Sequence, residues 1–510
     1  MIIYMKRALL IGAVLLTLSF KSEIKLAWES KFISFSKSGN LKYIPDEKGN
    51  IIPDFSRVGY HQGDRKIPNV RVVKSVIPAP NGNSDQVIQS AIDEVSKLPA
   101  DKNGLRGAIL LKAGTYKIVG SLKVNQSGII LRGEGDSNSG TKLIAVGKDK
   151  RTLVEFSGAG SLTEIPGSRV KISDNFIPVG ATSFTIESSK GLKVGDNIVL
   201  LRPGTMQWIK DIQMDKIVAR EGTKQWQPKE YDLHFERKIV KVEGKKITID
   251  NPVMMEMEQK YGGGEIYQSS FEGRISEVGI ENILFESEYT NDTDEEHSWI
   301  AVAFGKVENA WARNLTSRYF AYACVSVKQG AKNITVKDSK CFDAKSVITG
   351  GRRYSFNNDG QQNLFMNLET TEGRHDYVTG AKTLGPNVFY NCKASNTHAD
   401  IGPHHRWAVG TLYDNITTDG EINVQDRGNW GSGHGWAGVT QVLWNCKVKR
   451  AAVQSPWASG LNYSIGTQGE KYDGRLPGRT DGEWENQNKP GLNPQSLYLS
   501  QYRGRMGIGG

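Results

Sequence analysis

Along the C-terminal half of the chain apolar and polar positions alternate, and the alternation restarts at short intervals. Seven blocks carry it: ENILFES, ENAWARN, KNITVKD, QNLFMNL, PNVFYNC, GTLYDNI and TQVLWNC, whose second residues are Asn282, Asn309, Asn333, Asn363, Asn387, Thr411 and Gln441. The steps between them are 27, 24, 30, 24, 24 and 30 residues, the length of one solenoid coil rather than of a propeller blade. An apolar residue follows each time (Ile283, Ala310, Ile334, Leu364, Val388, Leu412, Val442), and two positions on stand Phe285, Ala312, Val336, Met366, Tyr390, Asp414 and Trp444. A period of two marks a strand with one buried face. One such strand per coil, stacked at ~4.8 Å, makes parallel sheets around an apolar column. Asn at five of the seven starts suits a turn in the left-handed conformation, bonded to the coil above. The predicted fold class is all-β, a right-handed parallel β-helix. A β-sandwich fits less well, because Asn-Gly and Asp-Gly hairpin turns are sparse.

The N-terminal half begins with a different period. In SDQVIQSAIDEVSK, residues 84–97, Val87, Ile88, Ala91, Ile92 and Val95 share one helical face behind a Ser/Asp cap. Short strands with Gly turns follow in GAILLKAGTYKIVGSLKV and SGIILRGEG. The run from NSDQVIQSAIDEV through ILLKAGTYKI to GIILRGEG, with IPDFSRVGY before it, resembles the capping helix and first coils of the pectate-lyase-like β-helix superfamily. The resemblance covers roughly residues 50–150 by motif and 270–455 by repeat. It implies the fold and leaves the reaction open, because that superfamily holds both polysaccharide lyases and glycoside hydrolases.

From about Pro166 to Gly264 the repeat stops and hairpin-like strands replace it. The expected organisation is therefore a leader over 1–22, an N-terminal cap and first coils over 23–165, an inserted β-rich subdomain over 166–265, the main coils with the active groove over 266–455, and a tail over 456–510 packed on the helix. The leader rests on Lys6 and Arg7 followed by the apolar run ALLIGAVLLTLSF, which has the order of a secretory signal and is short for a membrane span. It predicts a secreted or periplasmic protein with no stable membrane partner. Within the insert, the Trp-, Lys- and Arg-rich segment TMQWIKDIQMDKIVAREGTKQWQPKEYDLHF reads either as a lid over the groove or as a solvated face.

Composition narrows the partners. Lys and Arg number 65 against 55 Asp and Glu, a net charge of +10, which favours a polyanion. No run of five basic residues and no zinc-finger spacing points to nucleic acid, so the expected partner is an acidic polysaccharide, met by a monomer. The four Cys fit the repeat as buried thiols: Cys392 and Cys446 share one repeat position two coils apart, too far for a disulfide. No CxxC or HExxH suggests a metal.

Candidate chemistry concentrates in one stretch. Five of the eight His lie between 375 and 434, in EGRHDYVTG, THADIGPHHRWAVG and VQDRGNWGSGHGW, and neighbouring coils bring such segments to one groove. Elimination across a uronic acid needs its carboxylate neutralised, a base for the neighbouring carbon-bound proton, and an acid for the leaving oxygen. Arg374 and Arg406 are candidate neutralisers, with Arg353 in reserve. His375 or His405 is the candidate base, and Tyr377 the proton donor. His398, His404, Asp400, Arg353, His434 and Trp407 are expected to bind substrate, Trp407, Trp430, Trp436 and Trp457 offering faces for sugar stacking, while Trp444 belongs to the inward column. No cofactor is required; Asp376, Asp400 and Asp426 leave room for Ca²⁺.

The expected function is a polysaccharide lyase acting on a uronate glycan by β-elimination. An inverting hydrolase of the polygalacturonase kind is the rival, and Gly433, His434 and Gly435 resemble its Gly-His-Gly motif. That carry-over stops at the acids, since the chain has no Asp-Asp doublet and no Arg-Ile-Lys, leaving Asp376, Asp400 and Asp426 to supply paired carboxylates. A non-catalytic glycan-binding β-helix is the third reading.

Overall fold

The computed structural model describes residues 27–80 and 82–508; the leader expected over 1–22 lies outside them. The chain is an all-β parallel β-helix. One ladder climbs from Val72–Val76 through Gly107–Leu111, Ile129–Gly135, Gly279–Ser287, Val307–Arg318, Lys332–Phe342, Leu364–Thr371, Leu384–Tyr390, Ala408–Asp414, Val442–Trp444 and Tyr463–Ile465 to Glu483–Glu485. A second runs from Leu122–Val124 through Thr152–Ser157, Ile300–Gly305, Ala323–Val327, Phe356–Asn358, Tyr377–Thr379, Asp400–Pro403 and Glu421–Val424 to Lys447–Val453. A third includes Gly114–Ile118, Thr141–Ala145, Lys393–Ser395 and Gln468–Lys471.

In the first ladder one apolar residue per coil forms an inward column. Ile109, Leu131, Ile280, Ala312, Val336, Phe365, Phe389, Tyr413 and Leu443 stand in register and are all buried. Phe365 stacks on Phe389 at 4.8 Å and Phe389 on Tyr413 at 5.5 Å, at about the spacing of the strands that carry them. All four cysteines are free and buried.

This register differs from the sequence-based one at two places. Ile283 pairs with Leu315 and not with Ala310, and Val336 pairs with Phe365, which places Leu364 opposite Thr335. A slip of one residue sends a strand's side chains to the opposite face. Leu364, Val388, Leu412, Val442 and Trp444 consequently form an outer column, buried under residues of the insert and tail such as Met254, Leu492 and Leu497. Trp444 is buried as expected, but beneath the tail, where its indole N–H donates to Pro494 O at 2.9 Å. Both faces of these strands are apolar, and period two alone cannot tell inside from outside.

The predicted left-handed turn is present at Asn282, Asn309 and Asn333 but not at Asn363 or Asn387, and a second left-handed series runs beside it. Asn282, Asn314, Asp338, Asn367, Asn391, Asn415 and Asn445 all have φ between 51° and 60°. Their amides form a partial ladder: Asn314 donates to Asn282 at 2.9 Å, Asn367 to Asp338 at 2.9 Å, Asn391 to Asn367 at 2.8 Å and Asn445 to Asn415 at 2.9 Å. Asn363 has another job. It is fully buried, its Oδ1 accepts from the Ile334 N–H at 2.8 Å and its Nδ2 donates to Asn358 at 2.8 Å. Asn363→Ala should therefore cost about 1–3 kcal/mol by leaving a buried N–H unsatisfied, read as a drop in the denaturant midpoint at constant slope.

Helix Asp85–Ser96 covers the first coil with Ile88, Ala91, Ile92 and Val95; Val87, placed on the same face by its spacing, is 39% exposed. Ser84 makes no side-chain cap. Instead Asp85 accepts from the N–H groups of Val119 and Gly120, both at 2.8 Å, tying the helix to the coil beneath. Residues 163–270 leave the solenoid for an antiparallel sheet that includes Ser183–Thr185, Asn197–Arg202, Leu233–Glu243, Lys246–Ile249 and Glu265–Ser270. At the ends of the chain, Trp28–Glu29 pairs with Leu492–Asn493. The final helix, Leu497–Met506, is capped by Ser496 and anchored by Asp414, which accepts from Ser496 Oγ and from the Tyr498 N–H.

Candidate functional site

The second ladder places the histidines. Val378 pairs with Gly402 and Thr379 with Pro403, so His375 precedes one strand while His404 and His405 follow the next. The loop between Glu421–Val424 and Gly438–Val439 adds His434. The four rings touch: His375 and His404 centroids lie 4.5 Å apart, His404 and His405 5.0 Å, His404 and His434 5.2 Å, and His405 and His434 4.8 Å. They line a cleft of about 590 Å³ together with Tyr354, Arg374, Asp400, Arg427 and Trp430. Gly431 is required here, since a Cβ at this position would fall on the His434 ring.

Burial sets the charge of this cluster. It pushes His375 down to about 4, His405 to about 3 and His434 to about 4, and holds His404 far below the usual range, with Arg427 among the neighbouring cations adding to each shift. All four imidazoles are neutral at pH 7. The His375 Nδ1–H donates to the Asp400 carbonyl at 2.7 Å, which fixes the tautomer and leaves Nε2 as the lone-pair nitrogen. That Nε2 has no hydrogen-bond partner among the described residues, and the same holds for Nδ1 of His404, His405 and His434.

Tyr354 and Arg427, which the sequence did not single out, line the cleft beside Trp430, which it did, and Arg475 packs on Trp430 from outside the lining. Tyr354 is bonded through its hydroxyl to His404 Nε2 at 3.1 Å, meets His375 edge-on at 4.8 Å and stacks on Tyr322 at 5.0 Å. Arg427 is buried and ion-paired with Asp400; burial alone would raise that carboxyl, but Arg427 and His375 hold it below its ordinary value. Trp430 lies between the guanidiniums of Arg427 and Arg475, 5.3 and 4.4 Å from its centroid. Arg475 and Trp430 are 45 residues apart in the chain, and only the path of the tail brings them together.

Several expected site residues lie elsewhere. Tyr377 is fully buried in the interior, and its hydroxyl donates to Leu368 O and Lys393 O at 3.1 and 2.6 Å, so it meets no substrate. Trp407 is 0% exposed and packs edge-on against Trp208 at 4.9 Å; it offers no face to a sugar. Arg406 donates to Ser432 and braces the loop of His434. Arg353 is buried on Ser346 O and Glu372 O. His398 pairs with Glu372 at 2.7 Å outside the cluster. Arg374 alone of the predicted arginines lines the cleft.

The three aspartates proposed for hydrolysis or Ca²⁺ are engaged. Asp376 is buried with Ser355 Oγ at 2.8 Å and pushed up to about 6, Asp400 holds Arg427, and Asp426 holds Arg479 at 2.7 Å. Among the described residues no group of three or more His, Cys, Asp or Glu is disposed to hold a metal ion. The insert segment is solvated over residues 218–222 and 229–230 but anchored by its tryptophans. Its Trp208 and Trp226 are buried, and it clamps the His434 loop through Lys224 N–H to Ser432 O at 3.1 Å and Arg220 to Gly431 O at 2.7 Å.

No family model matches the chain, and no curated protein matches it. Among solved structures the chain is similar to the tailspike protein gp49 from Pseudomonas phage LKA1, with 14% identity and a TM-score of 0.46 over 76% of this chain and 56% of that one. It is also similar to the tailspike of E. coli bacteriophage HK620 in complex with pentasaccharide, with 11% identity and a TM-score of 0.36 over 90% and 69%. A third is the tailspike of Acinetobacter baumannii bacteriophage AP22 in complex with A. baumannii capsular saccharide, with 10% identity and a TM-score of 0.27 over 82% and 79%. The chain spans little more than half the length of the LKA1 tailspike.

Proposed function

We propose that the chain is an exported, monomeric polysaccharide lyase that cleaves a uronate-containing glycan by β-elimination, in the manner of the pectate-lyase-like proteins its N-terminal motifs resemble. The observation that carries this reading is the neutral imidazole cluster: the His375 Nε2 is buried and unpartnered, beside Tyr354, in a cleft that Arg374 also lines. Arg374, which lines the cleft, neutralises the uronate carboxylate, acidifying the proton on the adjacent carbon. His375 Nε2 takes that proton, the electron pair becomes the new carbon–carbon double bond, and the glycosidic carbon–oxygen bond breaks. The leaving oxygen takes its proton from the Tyr354 hydroxyl, in the role first assigned to Tyr377. Phage-tailspike likeness at this level adds no substrate; two of those proteins were solved with saccharides.

The test is incubation with polygalacturonate, alginate, hyaluronan and heparin, following ultraviolet absorbance of unsaturated uronide and new reducing ends. Both signals rising together supports the lyase. Reducing ends without absorbance would establish a hydrolase, and neither signal with any polymer would favour a binding protein.

The pH profile adds a separate check. A base must be unprotonated to work, and His375 sits near 4 rather than near the ordinary ~6.5. The rate kcat/KM should hold level from pH 7 down through pH 6 and fall only as pH approaches about 4. An acid limb centred near ~6.5 would mean that the working base is an unshifted imidazole.

A further inference from the structure

A second cleft, of about 610 Å³, opens between the inserted sheet and the solenoid. Its floor is built from turns at the ends of consecutive strands in the second ladder: Gly160 after Thr152–Ser157, Lys306 after Ile300–Gly305, Gly330 after Ala323–Val327, Gly360 after Phe356–Asn358 and Lys382 after Tyr377–Thr379. Five coils at ~4.8 Å give a floor of roughly 19 Å along the solenoid axis. The shape suits a linear polymer laid across the coils. The far wall is the insert, held to the floor by Gln361, which donates to His234 O at 3.1 Å and accepts from the Glu236 N–H at 3.1 Å.

Three lysines of this cleft form no ion pair among the described residues. Lys229 and Lys306 are exposed and pair with no carboxylate among the described residues, whereas their neighbours Lys328 and Lys332 do. The ammonium of Lys382 donates only to a backbone carbonyl, Glu230 O, at 2.6 Å. On the acidic side, Glu236 is already neutralised by Arg274 at 2.7 Å and Lys332 at 2.9 Å. Asp359 is engaged, its Oδ2 accepting from Asn357 Nδ2 at 2.9 Å. Asp232 and Glu230 remain. Phe271, pinned by the Arg274 guanidinium 3.8 Å from its centroid, supplies an aromatic surface at the edge.

We propose that this cleft is a second saccharide-binding site, in which Lys229, Lys306 and Lys382 hold an anionic stretch of the polymer apart from the histidine cleft. The proposal rests on the polysaccharide reading above but not on the lyase chemistry.

The experiment is equilibrium binding of polygalacturonate, alginate, hyaluronan and heparin to the full chain carrying His375→Asn, which suppresses turnover, with and without Lys229→Glu and Lys306→Glu. Both lysines are exposed, so the fold tolerates the change, and a thermal melt verifies it. At least one polymer should bind, and the double charge reversal should raise its Kd tenfold or more, the difference shrinking between low and high salt. An unchanged Kd, or no binding of any of the four, overturns the proposal. If binding depends on the lysines while the wild-type chain generates no absorbance, the cleft stands and the lyase falls. Absorbance with lysine-independent binding gives the reverse.

Discussion

Substituting His375 by asparagine should lower kcat by a factor of about 10²–10⁴, the range expected for removing a positioned general base. Asparagine is chosen because its side-chain amide can replace the Nδ1–H that donates to the Asp400 carbonyl, while it carries no basic nitrogen where Nε2 stood. The substitution separates chemistry from architecture: the melt should move little and turnover should collapse. His375→Ala and His405→Ala should each lower turnover by a factor of about 10² or more. Full activity in both alanine variants would remove the base from this cluster altogether.

Trp407→Ala is expected to act through stability. The indole is fully buried, 4.9 Å from Trp208 and 6.2 Å from Trp226, with its N–H on Met255 Sδ at 3.3 Å. Removing a packed Trp side chain costs about 3–5 kcal/mol, here at the junction of solenoid and insert. Denaturation should show the loss directly. A raised KM with an unshifted melt would instead identify Trp407 as a sugar platform and contradict its burial.

The coil length and the all-β class were legible because each coil repeats a strand and a turn. The register was legible only in part. In Lys332–Phe342 and Leu364–Thr371 the coil step is 29 residues, and a one-residue error there is silent because Leu364 and Phe365 are both apolar and both buried. The run of left-handed residues from Asn314 to Asn445 was present in the sequence as a second asparagine series, seen as RNL, MNL, YNC, DNI and WNC; the strand-start asparagines, left-handed themselves at Asn282, Asn309 and Asn333, drew attention from it. The site was legible as a cluster because four histidines are rare enough to be counted. Its supporting residues were not, since Arg427 and Tyr354 join it through coil stacking and Arg475 through a tail whose path no periodicity encodes. Tyr377 was misassigned because it opens the strand Tyr377–Thr379 and fills the core, whereas Arg374 and His375 stand in the loop before that strand and line the cleft.

A stack of coils held only by nearest neighbours would peel from either end, each lost coil exposing the next. Here the two ends of the described chain are buckled to each other. Trp28 pairs with Leu492, Phe55 N–H donates to Gln501 Oε1 at 2.9 Å, and Gln501 donates back to Pro53 O at 3.0 Å. The buckle lies along the flank of the coils rather than at a tip, so tension on one terminus is shared by the other before any strand is lost. Under mechanical pulling the molecule should yield in one large step rather than unwind like a spool.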